Sequence, residues 1–141
     1  MVGVVIVTHG SLAQALLEAA SLIVGEIPRS VAVCLDPGDG PNDAREKVET
    51  AIASVEEGEG TLLLVDLPGG TPCSVCLGCL GQSVAEVVAG VNLSMLVKVP
   101  FVRSVSGRPL SEYAEEIASY GAKAVRVISH SGCETAPSPS K

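Results

Sequence analysis

The chain has no tryptophan, two tyrosines and one phenylalanine among 141 residues. A core of this size must therefore be assembled from Val, Leu, Ile and Ala, which suits parallel strands covered on both faces and read as continuous aliphatic runs. Basic residues are also scarce. Nine Lys and Arg stand against sixteen Asp and Glu, for a formal net charge of −7. That balance excludes nucleic acid or an anionic membrane as the main partner, because those demand basic patches. It leaves room for a small anion held at a local site. No run of 18 apolar residues occurs. The most apolar window, Val84–Val102, is interrupted by Glu86, Asn92 and Lys98, so no direct membrane insertion is expected. Strand pattern begins at Val2, leaving no room for a signal peptide, and predicts a cytoplasmic location with reduced thiols.

One domain is expected at this length, with about two-thirds of the unfolded surface buried. Strands are read at Val2–Val7, Val31–Leu35, Thr61–Leu67, Val84–Val91 and Ala124–Ile128. Helices are read at Ser11–Gly25, Asp43–Glu57, Thr71–Leu80, Asn92 to about Pro100, and Leu110–Tyr120. Strands alternating with helices imply right-handed crossovers and a parallel sheet. The tail at 131–141, "SGCETAPSPSK", carries no apolar pattern and is expected to be disordered. The domain is therefore placed at 1–130.

Two turns stand out. In "VIVTHGSLAQAL", residues 5–16, an aliphatic strand runs into His9, one of only two histidines. Gly10 permits a tight turn. Ser11 and Gln14 match a capping box. In "LVDLPGGTP", residues 64–72, Asp66 lies at the end of the third strand, Gly69 and Gly70 allow close backbone approach, and Thr71 is read as an N-cap before Pro72. Helix N-termini carry unpaired N–H groups and partial positive charge, so each turn is a candidate anion cradle. With strand order 2-1-3-4, strands one and three flank the switch point where open parallel sheets bind ligands. His9 and Asp66 would then face one crevice. A neutral imidazole has one basic nitrogen that can attack phosphorus, and a carboxylate on the other nitrogen fixes the tautomer. Phosphoryl transfer is mostly positioning and electrostatics, so no metal or cofactor is called for. Each element also has an ordinary structural reading as loop, cap or turn.

"VVIVTHGSLAQALLEAA", "LLLVDLPGGTP" and "VAGVNLSMLVK" resemble, in order and spacing, the mannose-type IIA component of the bacterial sugar phosphotransferase system, over residues 2–129. The resemblance implies a doubly wound three-layer α/β sandwich with a central parallel sheet and an antiparallel edge strand exchanged within a homodimer. It implies that His9 accepts a phosphoryl group on Nε2 from the phosphocarrier HPr and passes it to a histidine of a IIB component. Asp66 would bond the other ring nitrogen, and Gly10, Ser11, Gly69, Gly70 and Thr71 would surround the phosphate. The chain departs from the family pattern at Pro68, where an aromatic is usual, at Ser74, where Asn is common, and at Ser94, where Pro is frequent. The first two flank the second turn and bear on partner docking.

Other signals are weaker. Cys73, Cys76 and Cys79 form C-x2-C-x2-C on a helix, where three sulfurs fan out instead of converging; they read as small core residues. Cys34 reads as core and Cys133 as a free thiol. His130 reads as a solvated residue after the last strand, and Lys98, Arg103 and Arg108 as either ordinary loop cations or partner contacts. Two rival functions stay open: a regulator read through phospho-His9, and a small tetrapyrrole chelatase using His9 as a metal ligand, for which only His130 is available as second histidine. A phosphatase of the "RHG" type is excluded by Thr8 in place of arginine.

Overall fold

The computed structural model describes residues 1–81 and 83–129. Four strands, β1 (Gly3–His9), β2 (Ser30–Leu35), β3 (Thr61–Val65) and β4 (Ala85–Ala89), form a wholly parallel sheet in the order β2-β1-β3-β4. Five helices connect and follow them: α1 (Leu12–Val24), α2 (Pro41–Val55), α3 (Thr71–Gly78), α4 (Leu93–Arg103) and α5 (Leu110–Lys123).

The central strands show why aliphatic runs were needed. Successive side chains in a strand point to opposite faces. Val4 and Ile6 of β1 and Leu62 and Leu64 of β3 pack with Ala13, Ala20, Met95, Tyr113 and Ile117, beneath α1, α4 and α5. Val5, Val7, Leu63 and Val65 pack instead with Val48, Ile52, Cys73, Cys76 and Cys79, beneath α2 and α3. Both faces are covered, giving the three layers expected. The cysteines fill the core: Cys76 is fully buried, and burial first, then the neighbouring Cys79 and Cys73, pushes its thiol up to about 12. Cys34 is half-buried.

Four expectations need correction. Ala124–Ile128 is not a strand. From Ala124 to Ser129 the chain is turn and irregular, with Val125 and Val127 79% and 70% exposed. The antiparallel edge strand is thus not found among the described residues. Helix α4 does not stop at Pro100 but continues to Arg103. Proline removes its own N–H from the ladder and crowds the carbonyl four residues back, and the burial of Val99 and Val102 either side of it in the core offsets that cost. Helix α2 starts two residues early, on Pro41, a favoured first helical position. Strand β3 ends at Val65, so Asp66 and Leu67 belong to the following turn. The predicted tail at 131–141, with Cys133, and the adjoining His130 lie outside the described residues.

Candidate functional site

All four strands run the same way, so the ends of β1 and β3 meet at one edge of the sheet. Strand β1 extends to His9, two residues beyond the expected end, where His9 pairs with Leu35 of β2. On its other side β1 is paired with β3 only as far as Val7 opposite Val65. Beyond that point a side chain takes over: the Asp66 carboxylate accepts the His9 backbone N–H through Oδ2 at 3.0 Å. The same Oδ2 lies 2.8 Å from His9 Nδ1. Oδ1 accepts the Leu67 N–H at 3.0 Å, which turns the carboxylate towards the histidine.

The carboxylate bears on the tautomer. Burial alone would raise the Asp66 carboxyl, but hydrogen bonds from the His9 ring and the His9 backbone outweigh it and hold the group below its ordinary value. An ionised carboxylate can only accept, so the proton between the two belongs to Nδ1, and the neutral ring then has its lone pair on Nε2. The side chains differ sharply in exposure, 53% for His9 against 11% for Asp66. The carboxylate is sheltered and the imidazole faces outward.

The glycines shape the rest. Gly10 turns the chain after β1 at φ 56, and its N–H bonds Leu35 O at 2.9 Å. Gly69 has φ 81. A left-handed backbone of this kind favours glycine. Gly70 is needed for a different reason. A Cβ there would sit 3.1 Å from His9 Cε1 and 3.7 Å from Nε2. Gly70 is also the N-cap of α3, so the positive end of that helix lies against the free face of the imidazole.

Two expected caps are absent. Ser11 occupies the N-cap position of α1 but makes no side-chain cap bond; the cap is supplied by Thr8, whose Oγ1 accepts the Ala13 N–H at 2.7 Å. Thr71 is the first residue of α3, not its N-cap. Thr8 was legible only as the end of an apolar run. A hydroxyl residue five before a buried helical Ala was the available signal.

The cations lie elsewhere. Arg103 donates to Val2 O and Pro28 O, at the start of the strands and therefore the opposite end of the sheet. Arg108 donates to Val102 O and stacks 4.6 Å from the Tyr113 ring centre. Lys98 is buried in mid-α4, its ammonium 4.9 Å from the Tyr120 ring centre. Among the described residues no group of three or more His, Cys, Asp or Glu side chains is placed to hold a metal ion, and no helix is long and apolar enough to cross a membrane.

The fold is thus a doubly wound α/β sandwich with a carboxylate-backed imidazole at its switch point. Comparison with known proteins gives the family. The family model described as PTS system fructose IIA component matches residues 3–120. The fructose-specific EIIA component of Bacillus subtilis is 34% identical over 104 residues, 73% of this chain and 71% of that protein. The mannose-specific EIIAB component of Escherichia coli K12 is 32% identical over 128 residues, 89% of this chain but only 40% of that protein. A solved structure, the mannose/sorbose specific IIA subunit of the phosphotransferase system from Enterococcus faecalis, superposes with TM-score 0.78 at 30% identity, covering 90% of this chain and 94% of that one. The chain belongs to this family, the IIA components of the sugar phosphotransferase system, whose members are phosphotransferases working through a phosphohistidine. Phosphoryl transfer in sugar uptake is its activity class, and the chelatase reading falls away.

Proposed function

We propose that His9 is the phosphoryl acceptor of this IIA component, that it is charged on Nε2 by the phosphocarrier HPr, and that it passes the group to a histidine of a IIB component. The observation that carries the reading is the 2.8 Å contact between His9 Nδ1 and Asp66 Oδ2, on an imidazole whose other nitrogen is turned outward beside a helix N-terminus. In the transfer, the Nε2 lone pair attacks phosphorus. The P–N bond of the donor phosphohistidine breaks, and its electron pair returns to the donor ring. Positive charge grows on the His9 ring and is balanced by Asp66. Main-chain N–H groups of Ser11 and of the Gly69–Thr71 turn bind the phosphoryl oxygens, the Gly10 N–H being held by Leu35 O, and the unused hydroxyls of Ser11 and Thr71 are further donors.

Homodimerisation is part of the proposal. It is supported by the exposed apolar residues Val125, Val127 and Ile128, which a partner subunit would cover. The transfer reading is tested by incubating the chain with phosphoenolpyruvate, enzyme I and HPr. One acid-labile phosphate per chain is expected, chased onto an added IIB component and lost in His9→Ala. Label that survives His9→Ala refutes the assignment; label that no IIB component accepts points to a regulatory role.

A further inference from the structure

Thr8 is completely buried, one residue before the proposed acceptor. Its neighbours Val4 and Ile6 face the α1 side of the sheet, and alternation puts Thr8 on that side too. There its hydroxyl accepts the Ala13 N–H at 2.7 Å. This is an unusual source for a helix cap. The N-cap position belongs to Ser11, which makes no side-chain cap bond. The acceptor comes instead from within the strand, so one hydrogen bond ties the first turn of α1 to the end of β1.

The His9 backbone is consequently gripped from both sides. Behind it, the Thr8 hydroxyl holds α1. Ahead of it, the Asp66 carboxylate holds its N–H at 3.0 Å and its ring nitrogen at 2.8 Å. The clearance on the remaining side is small: a single added methyl at Gly70 would meet the imidazole at 3.1 Å. Drift of α1 relative to β1 would move the residue linking them, and that residue is the Gly10 turn carried directly by His9. A cap made by Ser11 would fix the helix end but not its height on the sheet, and would occupy a hydroxyl at the mouth of the site.

We propose that Thr8 is a positioning residue for phosphoryl transfer: it docks α1 onto the end of β1 and so holds the His9 imidazole in register with Asp66 and Gly70. This rests on the reading of His9 as acceptor.

The test uses the full chain with HPr as donor. Thr8→Val keeps the shape, removes the acceptor and leaves the Ala13 N–H buried without a partner. It is expected to lower the maximal phosphorylation rate about ten- to hundred-fold, as small misplacements of reacting groups do, with KM for HPr within about twofold. Thr8→Ser, which keeps the hydroxyl, is expected to restore most of the rate. The His9 Nδ1–H proton signal should exchange faster in Thr8→Val than in Thr8→Ser. A purely structural role would lower the urea midpoint and leave the rate of the folded protein unchanged. Wild-type rates in folded Thr8→Val, or equal losses in the Val and Ser variants, overturn the proposal. If Thr8→Val does not fold, Thr8→Ala, which leaves space for a water at the Ala13 N–H, is judged by the same criteria. Failure of the acceptor reading is seen separately, as absence of label on the wild-type chain. The Nδ1–H exchange comparison then still decides the role of Thr8, unchanged exchange overturning it.

Discussion

Replacing Asp66 with Asn removes the charge at the site. The amide matches the carboxylate in shape, and its oxygen can still accept a hydrogen bond from His9 Nδ1. The Leu67 N–H loses its acceptor, because the amide NH2 then takes the Oδ1 position, and two further things are lost. A charge-assisted bond, worth about 1.5–3 kcal/mol, becomes a neutral one of about 1 kcal/mol. The carboxylate no longer answers the positive charge that grows on the ring as Nε2 bonds to phosphorus. Unit charges about 4 Å apart interact by about 4 kcal/mol at an effective dielectric of about 20. The His9 side chain is 53% exposed, and only part of a unit charge develops. Solvent screening reduces that figure, leaving a combined loss of about 1.5–3 kcal/mol. At about 1.4 kcal/mol per decade, phosphorylation should slow about ten- to hundred-fold. The assay is the initial rate of acid-labile label incorporation from HPr, with folding checked by circular dichroism and urea titration. A folded Asp66→Asn protein with a rate within twofold of wild type would refute the role assigned to the carboxylate.

Gly70→Ala is expected to fold, since Gly70 has an ordinary φ of −79, but its methyl would press on His9 Cε1 from 3.1 Å; label transfer should fall at least about tenfold, and an unchanged rate would show that the ring is free to move. Stability against urea should depend on Asp66 at low pH. The folded carboxyl lies below its unfolded value near 3.9, so its contribution is whole above about pH 4 and is lost as pH falls through the lower, folded value; Asp66→Asn should flatten this part of the profile, and parallel profiles would contradict it. Gly121→Ala should destabilise by about 1–3 kcal/mol, because the new Cβ would lie 2.4 Å from Met95 Cγ, an overlap larger than the helix-propensity gain of about 1 kcal/mol; a higher melting temperature would show that Met95 can repack. Leu12, the first residue of α1, and Leu67, in the turn after β3, are 44% and 58% exposed beside the site, so Leu67→Glu should raise KM for HPr several-fold with little change in maximal rate; an unchanged KM would remove Leu67 from the docking surface.

The alternation of strands and helices was readable because it follows from local facts. Aliphatic runs such as Val4–Val7 and Leu62–Val65 alternated with amphipathic helices, and parallel connection with right-handed crossovers leaves few sheets to consider. The pairing of His9 with Asp66 followed from the strand order alone. What stayed hidden depends on contacts between segments distant in sequence. Ser11 and Thr71 had the residue type for caps, but the competing acceptor on Thr8 became visible only once α1 lay against β1. Arg103 looked like a free cation until the fold brought Val2 O and Pro28 O within its reach. Ala124–Ile128 was read as a final strand, and the structure describes turn and irregular backbone there.

The chemical state of the His9 ring decides most directly how phosphate is carried. Nitrogen NMR of the 15N-labelled chain, before and after treatment with phosphoenolpyruvate, enzyme I and HPr, reads it atom by atom. The prediction is a proton on Nδ1 throughout and phosphorus coupled to Nε2 after treatment. Phosphorus coupled to Nδ1, or a His9 ring unchanged while the chain takes up phosphate, would contradict it.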